Sequence, residues 1–378
     1  MKILFLVYHG FSDVSGISKK IHYQVKGLRE NGYEVHLCYY GFAVNGHRCR
    51  YIDDIVIKDY GTGTWAGIRQ RMDYSPIYDY CVSSGIQFVY ARSFMNANPF
   101  LINFFHKLRK AGIKCVTEIP TYPYDQEFVT SSFERRLGLR IDQMFRRKLS
   151  REMSAIVTFS DAESIFGQRT IRISNGVDFD SIPIHQYQPH DDEIHLIGVA
   201  EVHLWHGYDR MLRGLGEYYR NTPSPRKVFF HIVGGIHPHD MEQGNVFYPG
   251  FRPLMESYGI SDKVICHGQL FGEELDKVFN MSCFAIGSLA RHRSGITVIK
   301  TLKNREYATR GIPFIYSEQD SDFDNQPYVL KAVPDESPID VQQILDFIDR
   351  NHFQPEEIRK TVGHLTWKIQ MKKVIDEA

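Results

Sequence analysis

Short apolar runs alternate with longer stretches in which apolar residues recur every three or four positions, along nearly the whole chain. The runs have strand length and the stretches have helix length, an alternation that predicts α/β architecture with parallel sheets. The first unit reads as a strand over Ile3–Tyr8, a loop to Gly16, and a helix with Ile17, Ile21, Val25 and Leu28 on one face. Asn31-Gly32 ends that helix, since glycine enters the left-handed position beyond a helix at little cost. A strand over Tyr33–Tyr40 follows. Asn98 and Pro99 predict an N-cap and first turn for a helix through Lys110, closed by Gly112 and followed by strand Ile113–Ile119. Strands near Ala155–Phe159 and Thr170–Ser174 complete this half.

Ser181 to Glu193 holds two prolines and three acids with little apolar periodicity, and reads as a linker. A second series follows, with strands predicted over Ile194–Ala200, Lys227–Val233, Lys263–His267, Cys283–Gly287 and Pro313–Tyr316. Two helices are expected to close the chain, with Pro338 and Pro355 in their first turns and Trp367 in the last. The expected division is 1–180, 181–355 and a closing helix, 356–378. Two open parallel sheets on one linker bind ligands beyond the carboxyl ends of their strands.

Composition narrows the partners. The 378 residues carry 45 Lys and Arg against 45 Asp and Glu, so no global field steers the chain to nucleic acid. No apolar run approaches the ~20 residues of a membrane span, and the apolar stretch after Met1-Lys2 is too short for a signal peptide. Six scattered cysteines without a CxxC pair point to a reduced, cytoplasmic protein.

The densest local signal is Leu302-Lys303-Asn304-Arg305-Glu306-Tyr307-Ala308-Thr309-Arg310-Gly311-Ile312-Pro313-Phe314-Ile315. Lys303 and Glu306 share one helix face. Ser294-Gly295 lies in the loop before, and the amides at the Thr301 and Leu302 helix start can hold phosphate oxygens. Lys303 would add charge and Glu306 would accept ribose hydroxyls. The competing account is an ordinary ion pair on a solvated helix.

This segment resembles the donor-site helix of GT-B glycosyltransferases of family 4, whose Glu-Ala-Met-Ala-x-Gly-x-Pro-x-Ile run matches the frame from Glu306 to Ile315. Further matches follow in order: Ser15-Gly16-Ile17 at a glycine loop, Asn175-Gly176-Val177-Asp178 before the linker, Gly198 to Asp209, Gly234-Gly235, His267-Gly268 and Trp367. The resemblance implies two facing Rossmann-like domains, a closing helix that crosses back to the first, and transfer of a sugar from a nucleotide diphosphate sugar to an acceptor hydroxyl. It also implies a donor site at Gly16, His206, Arg293, Ser294, Gly295, Thr301, Leu302, Lys303 and Glu306, without a metal or other cofactor. Three family positions differ. Val298 stands eight before Glu306 where the family has a glutamate, and Glu201 and His206 replace the usual Arg and Lys on the diphosphate. The charge then falls to His206, Arg293 and Lys303. A saccharide or lipid-linked saccharide acceptor, in capsule or exopolysaccharide assembly, is expected. The alternatives are a nucleotide-sugar epimerase of the same fold, or a catalytically silent homologue serving as a scaffold.

On the acceptor side, Thr117 to Glu127 follows a strand with two prolines, two tyrosines and three acids, Gln126 and Glu127 ending it. Glu118 is the expected base, with Thr121 and Tyr122 beside it; a structural loop capped by Asp125 is the competing account.

In 133–153, Phe133, Leu137, Ile141, Met144, Phe145 and Leu149 recur at helical spacing and predict a core-facing stripe. The other face carries seven basic and three acidic residues. That basic face predicts either peripheral contact with anionic lipid or a solvated surface. Asp178-Phe179-Asp180 and Asp322-Phe323-Asp324 are Asp-x-Asp triplets of a metal-binding kind, but the first belongs to the linker motif and the second to a polar loop. His190-Asp191-Asp192-Glu193 and His237-Pro238-His239-Asp240 have ligand-type residues without the paired spacing of a zinc site. Gly61-Thr62-Gly63-Thr64-Trp65-Ala66-Gly67 lacks dinucleotide-fingerprint spacing.

Overall fold

Two sheets, each covered by helices, organise the computed structural model, which describes residues 1–11, 16–93, 95–125, 132–189 and 192–378. Ser15, Gln126, Glu127, His190 and Asp191 lie outside the described residues. The chain divides into two compact units, Met1–Gly176 with Leu365–Ala378, and Val177–His364.

In the first unit the strands are β1 (Lys2–Leu6), β2 (Glu34–Phe42), β3 (Arg48–Ile52), β4 (Ile55–Asp59), β5 (Phe88–Arg92), β6 (Lys114–Ile119), β7 (Ala155–Thr158), β8 (Ser164–Ile165) and β9 (Gln168–Arg172). They form one sheet in the order β4-β3-β2-β1-β5-β6-β7-β9-β8, parallel from β2 to β9 and antiparallel at both edges. Its helices are α1 (Gly16–Glu30), α2 (Gly63–Met72), α3 (Ser75–Ser83), α4 (Pro99–Lys110) and α5 (Phe133–Ser150). Asn98 caps α4 as its sequence predicts, its side chain accepting from the amides of Phe100 and Leu101. The β3–β4 hairpin, α2 and α3 are absent from the sequence-based expectation. Asp53-Asp54 turns that hairpin with both residues at positive φ, a two-residue loop that glycine more commonly fills.

The second unit holds β10 (Glu193–Val199), β11 (Lys227–Val233), β12 (Val264–Gly268), β13 (Phe284–Ile286), β14 (Phe314–Tyr316) and β15 (Val329–Lys331). The sheet order is β12-β11-β10-β13-β14-β15 and every pairing is parallel. Its helices are α6 (Tyr208–Asn221), α7 (Pro238–Glu242), α8 (Phe251–Tyr258), α9 (Gly272–Met281), α10 (Leu302–Arg310), α11 (Val341–Arg350) and α12 (Pro355–Thr361). Leu196, Phe230, Ile232, Phe284 and Ile286 pack with Met211, Leu215 and Phe251 into its largest apolar cluster.

The closing region differs from the expectation. Pro338 precedes the Asp340 cap of α11 rather than lying in its first turn. The remaining helix breaks after α12, and a separate α13 (Trp367–Glu377) starts at Thr366, whose side chain accepts from the Ile369 amide. Helix α13 belongs to the first unit, where Trp367, Met371 and Val374 join the core between α1 and the sheet. A Cβ on Gly27 would come within 2.6 Å of the Trp367 carbonyl carbon, so only glycine permits this close crossing.

Helix α5 is rotated relative to its predicted stripe. Phe145 is half-buried and Leu149 buried, but Phe133, Leu137, Ile141 and Met144 face outwards. The polar residues Asp142 and Arg146 set this rotation. Asp142 accepts from the Ala97 amide at 3.0 Å and the Tyr124 hydroxyl at 2.5 Å. Arg146 grips Asp125 through two nitrogens, at 2.6 and 3.0 Å, and lies over the Phe166 ring. Charged hydrogen bonds of this kind are roughly twice as strong as neutral ones and fix the geometry.

Candidate functional site

Three parallel strands of the second unit, β10, β13 and β14, end side by side, and the segments leaving them are tied together. The Tyr307 hydroxyl, from α10, donates to the Ile286 carbonyl and accepts from the Val199 amide, both at 3.1 Å. Leu289 N–H bonds the His206 carbonyl at 2.9 Å, and Ser317 N–H bonds that of Ser288 at 2.9 Å. Gly207 joins the post-β10 turn to α6 with φ of 62°, and a Cβ there would meet the Ala290 Cβ at 2.7 Å. These restraints hold His206, Arg291, Lys303 and Glu318 at one end of the sheet.

Lys303 sits in the first turn of α10. Its Nζ is buried without a hydrogen-bond partner among the described residues, 5.9 Å from the Tyr208 ring centre. Burial and the neighbouring Arg291 charge push its pKa down to about 7, with Glu318 pulling the other way. Glu318 follows β14, is 2% exposed, and neither of its carboxylate oxygens has a hydrogen-bond partner among the described residues. Burial pushes this carboxyl up to about 7, against the attraction of Arg291 and Lys303. A buried donor or acceptor left unmatched costs about 1–3 kcal/mol, and more when charged. Thr301 caps α10 without a side-chain hydrogen bond to it, and its buried Oγ1 also has no partner among the described residues. A buried ammonium beside open first-turn amides is an arrangement for a phosphate. A buried carboxylate nearby repels phosphate and accepts hydroxyls instead.

The other predicted donor residues are placed differently. His206 is 6% exposed, and its Nδ1 accepts from the His203 amide. Burial, then Lys303 and Arg291, hold its pKa well below the usual histidine value, so it is a neutral donor through Nε2 and brings no positive charge. Arg293 is not open to a diphosphate: it pairs with both Asp209 oxygens at 2.8 and 2.9 Å and also with Glu336. These bonds brace the loop from within. Ser294 donates to the Arg291 carbonyl, and Gly295 ends that turn with φ of 67°. Leu302 is exposed, and Glu306 accepts from Arg310 at 3.1 Å while remaining partly open. Asp322 pairs with Arg305, and Asp324 accepts from Tyr316 and Lys331, so this acidic triplet anchors a loop.

In the first unit, Glu118 on β6 is fully buried. Arg92, Tyr90 and Gln24 donate to it, and Lys20 lies 3.8 Å away. Burial alone would raise its pKa, but Lys20 and Arg92, helped by those hydrogen bonds, bring it below the usual value. The predicted base is therefore a buried carboxylate whose oxygens are already engaged by neighbouring side chains. Thr121 and Tyr122 are half-buried, and Tyr122 packs edge-on against Phe166. Gly16 is the exposed first residue of α1.

Sequence reasoning missed Glu318 and Arg291. Arg291 lies two residues from Arg293, in the same loop. Glu318 has no motif around it, and only the fold shows that its oxygens are unmatched.

No protein-family model matches the chain, and no curated protein matches it in sequence. Solved structures match over its full length. The catalytic domain of starch synthase IV from Arabidopsis thaliana, bound to ADP and acarbose, is 11% identical over 99% of this chain and 98% of that one, with TM-score 0.61. AviGT4, a glycosyltransferase involved in avilamycin A biosynthesis, is 14% identical over 100% and 96%, with TM-score 0.54. A UDP-GlcNAc 2-epimerase from Neisseria meningitidis, bound to UDP-GlcNAc, is 11% identical over 100% and 99%, with TM-score 0.52. The fold is the GT-B α/β fold.

Proposed function

We propose that this protein is a glycosyltransferase that moves a sugar from a nucleoside diphosphate sugar to an acceptor hydroxyl. One observation carries the reading: the buried, unmatched Lys303 ammonium at the start of α10, beside the strand ends of a GT-B fold. Lys303, Arg291 and the first-turn amides hold the diphosphate, and Glu306 takes the ribose. Glu318 accepts hydroxyls of the transferred sugar, standing in for the carboxylate absent at Val298. In the transfer, the bond between the anomeric carbon and the β-phosphate oxygen breaks and its electron pair leaves on that oxygen. The acceptor oxygen bonds to the anomeric carbon, and its proton passes to the departing phosphate. Positive charge already in place stabilises that leaving group without reorganisation and without need of a metal.

The acceptor we assign to surface polysaccharide assembly, a saccharide or lipid-linked saccharide of a capsule or exopolysaccharide made in the cytoplasm. The ordered motifs from Gly16 to Trp367 support this. A second reading, a nucleotide-sugar epimerase, is favoured by the likeness to the UDP-GlcNAc 2-epimerase. Thermal stability measured against a panel of nucleotide-sugars tests both. A ligand at ~100 times its dissociation constant adds ~2.7 kcal/mol. Transfer to an added saccharide then supports the first reading, whereas epimerised donor without acceptor supports the second. A panel with no stabilising member contradicts both.

A further inference from the structure

Helix α5 turns an apolar and basic face away from the rest of its unit. Phe133 is 72% exposed, Leu137 48%, Ile141 41% and Met144 69%. At about 100° per residue these four fall within a quarter-turn of one another. Arg136, Arg140, Arg147, Lys148 and Arg151 are exposed and lie among or just beside them on the same side. Glu134, also exposed, borders this arc roughly 20° beyond Ile141, whereas Asp142 lies on the opposite side. The opposite side is fixed by Leu139, Asp142, Arg146 and Leu149, so the outward face cannot turn in without breaking the Asp142 and Arg146 bonds.

An ordinary surface helix hides its apolar residues and solvates its charges. Here both sorts share the outward face, and the occupant must suit both. A second copy would bring five cations against five cations. A nucleic acid would satisfy the arginines but leave Phe133, Leu137, Ile141 and Met144 without apolar surroundings. An anionic bilayer surface offers lipid phosphates to the basic residues and acyl chains to the apolar ones. The helix has 18 residues, roughly 27 Å, enough to lie along such a surface. Among the described residues no helix is long and apolar enough to cross a membrane, so the contact is peripheral. We propose that the outward face of α5 docks this protein on anionic lipid, with the four apolar side chains entering the headgroup boundary.

Vesicle sedimentation of the full chain tests this and needs no sugar donor, so its outcome is separate from that of the transferase reading. The chain is expected to pellet with phosphatidylcholine vesicles containing phosphatidylglycerol, weakly with phosphatidylcholine alone, and less as salt rises. Ile141→Glu and the pair Arg140→Gln with Arg147→Gln should each reduce binding by about tenfold or more. All three positions are exposed, and an unchanged melting temperature checks that the fold is intact. Equal binding to neutral and anionic vesicles, or unaltered binding by these variants, overturns the proposal. So does a solution dimer that Ile141→Glu dissociates while vesicle binding stays absent.

Discussion

Glu118 and Glu318 are both carboxylates sealed from solvent, one in each unit, and their surroundings are opposite. Glu118 is met by Arg92, Lys20, Tyr90 and Gln24, which lower its pKa in spite of burial. Glu318 has no hydrogen-bond partner among the described residues, and burial raises its pKa. Burial is therefore a poor guide to function by itself. A saturated carboxylate has nothing left to offer a ligand and serves to join β5, β6 and α1. An unsaturated one retains its acceptor capacity and stays costly until something occupies it.

The largest expected effect lies at the saturated site. Glu118→Ala strands two buried cations, and unfolding by denaturant should show a loss of about 3–5 kcal/mol. A loss below about 1 kcal/mol would remove Glu118 from its structural role. Lys303→Ala should leave stability unchanged or improved, since it removes an unmatched buried charge, while donor affinity falls by about 1.5–3 kcal/mol. Calorimetric titration with the nucleotide-sugar found in the panel reads this directly.

The pH dependence sharpens the contrast further. In the free protein Lys303 is lowered to about 7, and bound diphosphate favours its protonated form. Binding therefore takes up a proton above that pH, and affinity should fall as pH rises from 7 to 9. A pH-independent affinity between 7 and 9 would mean that Lys303 does not meet the phosphates. The smallest effect belongs to Glu318→Gln. It should weaken the nucleotide-sugar by about 0.5–1.5 kcal/mol and leave the free nucleoside diphosphate bound as well or better. Equal weakening of both would place Glu318 on the ribose instead.

Much of this architecture was legible in the chain. Lys227–Val233 is a strand over its predicted span, and Asn98-Pro99 opens α4 as its capping chemistry requires. Lys303 and Glu306 do sit on the helix before β14. What escaped is governed by tertiary partners. The apolar spacing in α5 is compatible with either side of the helix, and only the bonds of Asp142 and Arg146 choose between them. Likewise, nothing local distinguishes Glu118, which reads as an acceptor-side acid, from Glu318, which has no motif at all. Whether a carboxylate is matched depends on residues as distant in sequence as Gln24 and Arg92. Arg293 shows the same effect, because Asp209 and Glu336 occupy a guanidinium that composition alone leaves open to phosphate.

On the proposed reading, the unmatched Lys303 marks a diphosphate site. The most direct measurement is calorimetric titration of common nucleoside diphosphates into the wild-type chain and Lys303→Ala, with unfolding curves for both. One diphosphate is expected to bind the wild type, and its binding to weaken by about tenfold or more in Lys303→Ala, at undiminished stability. Equal binding to both proteins, or no binding of any nucleoside diphosphate to the wild type, would contradict it.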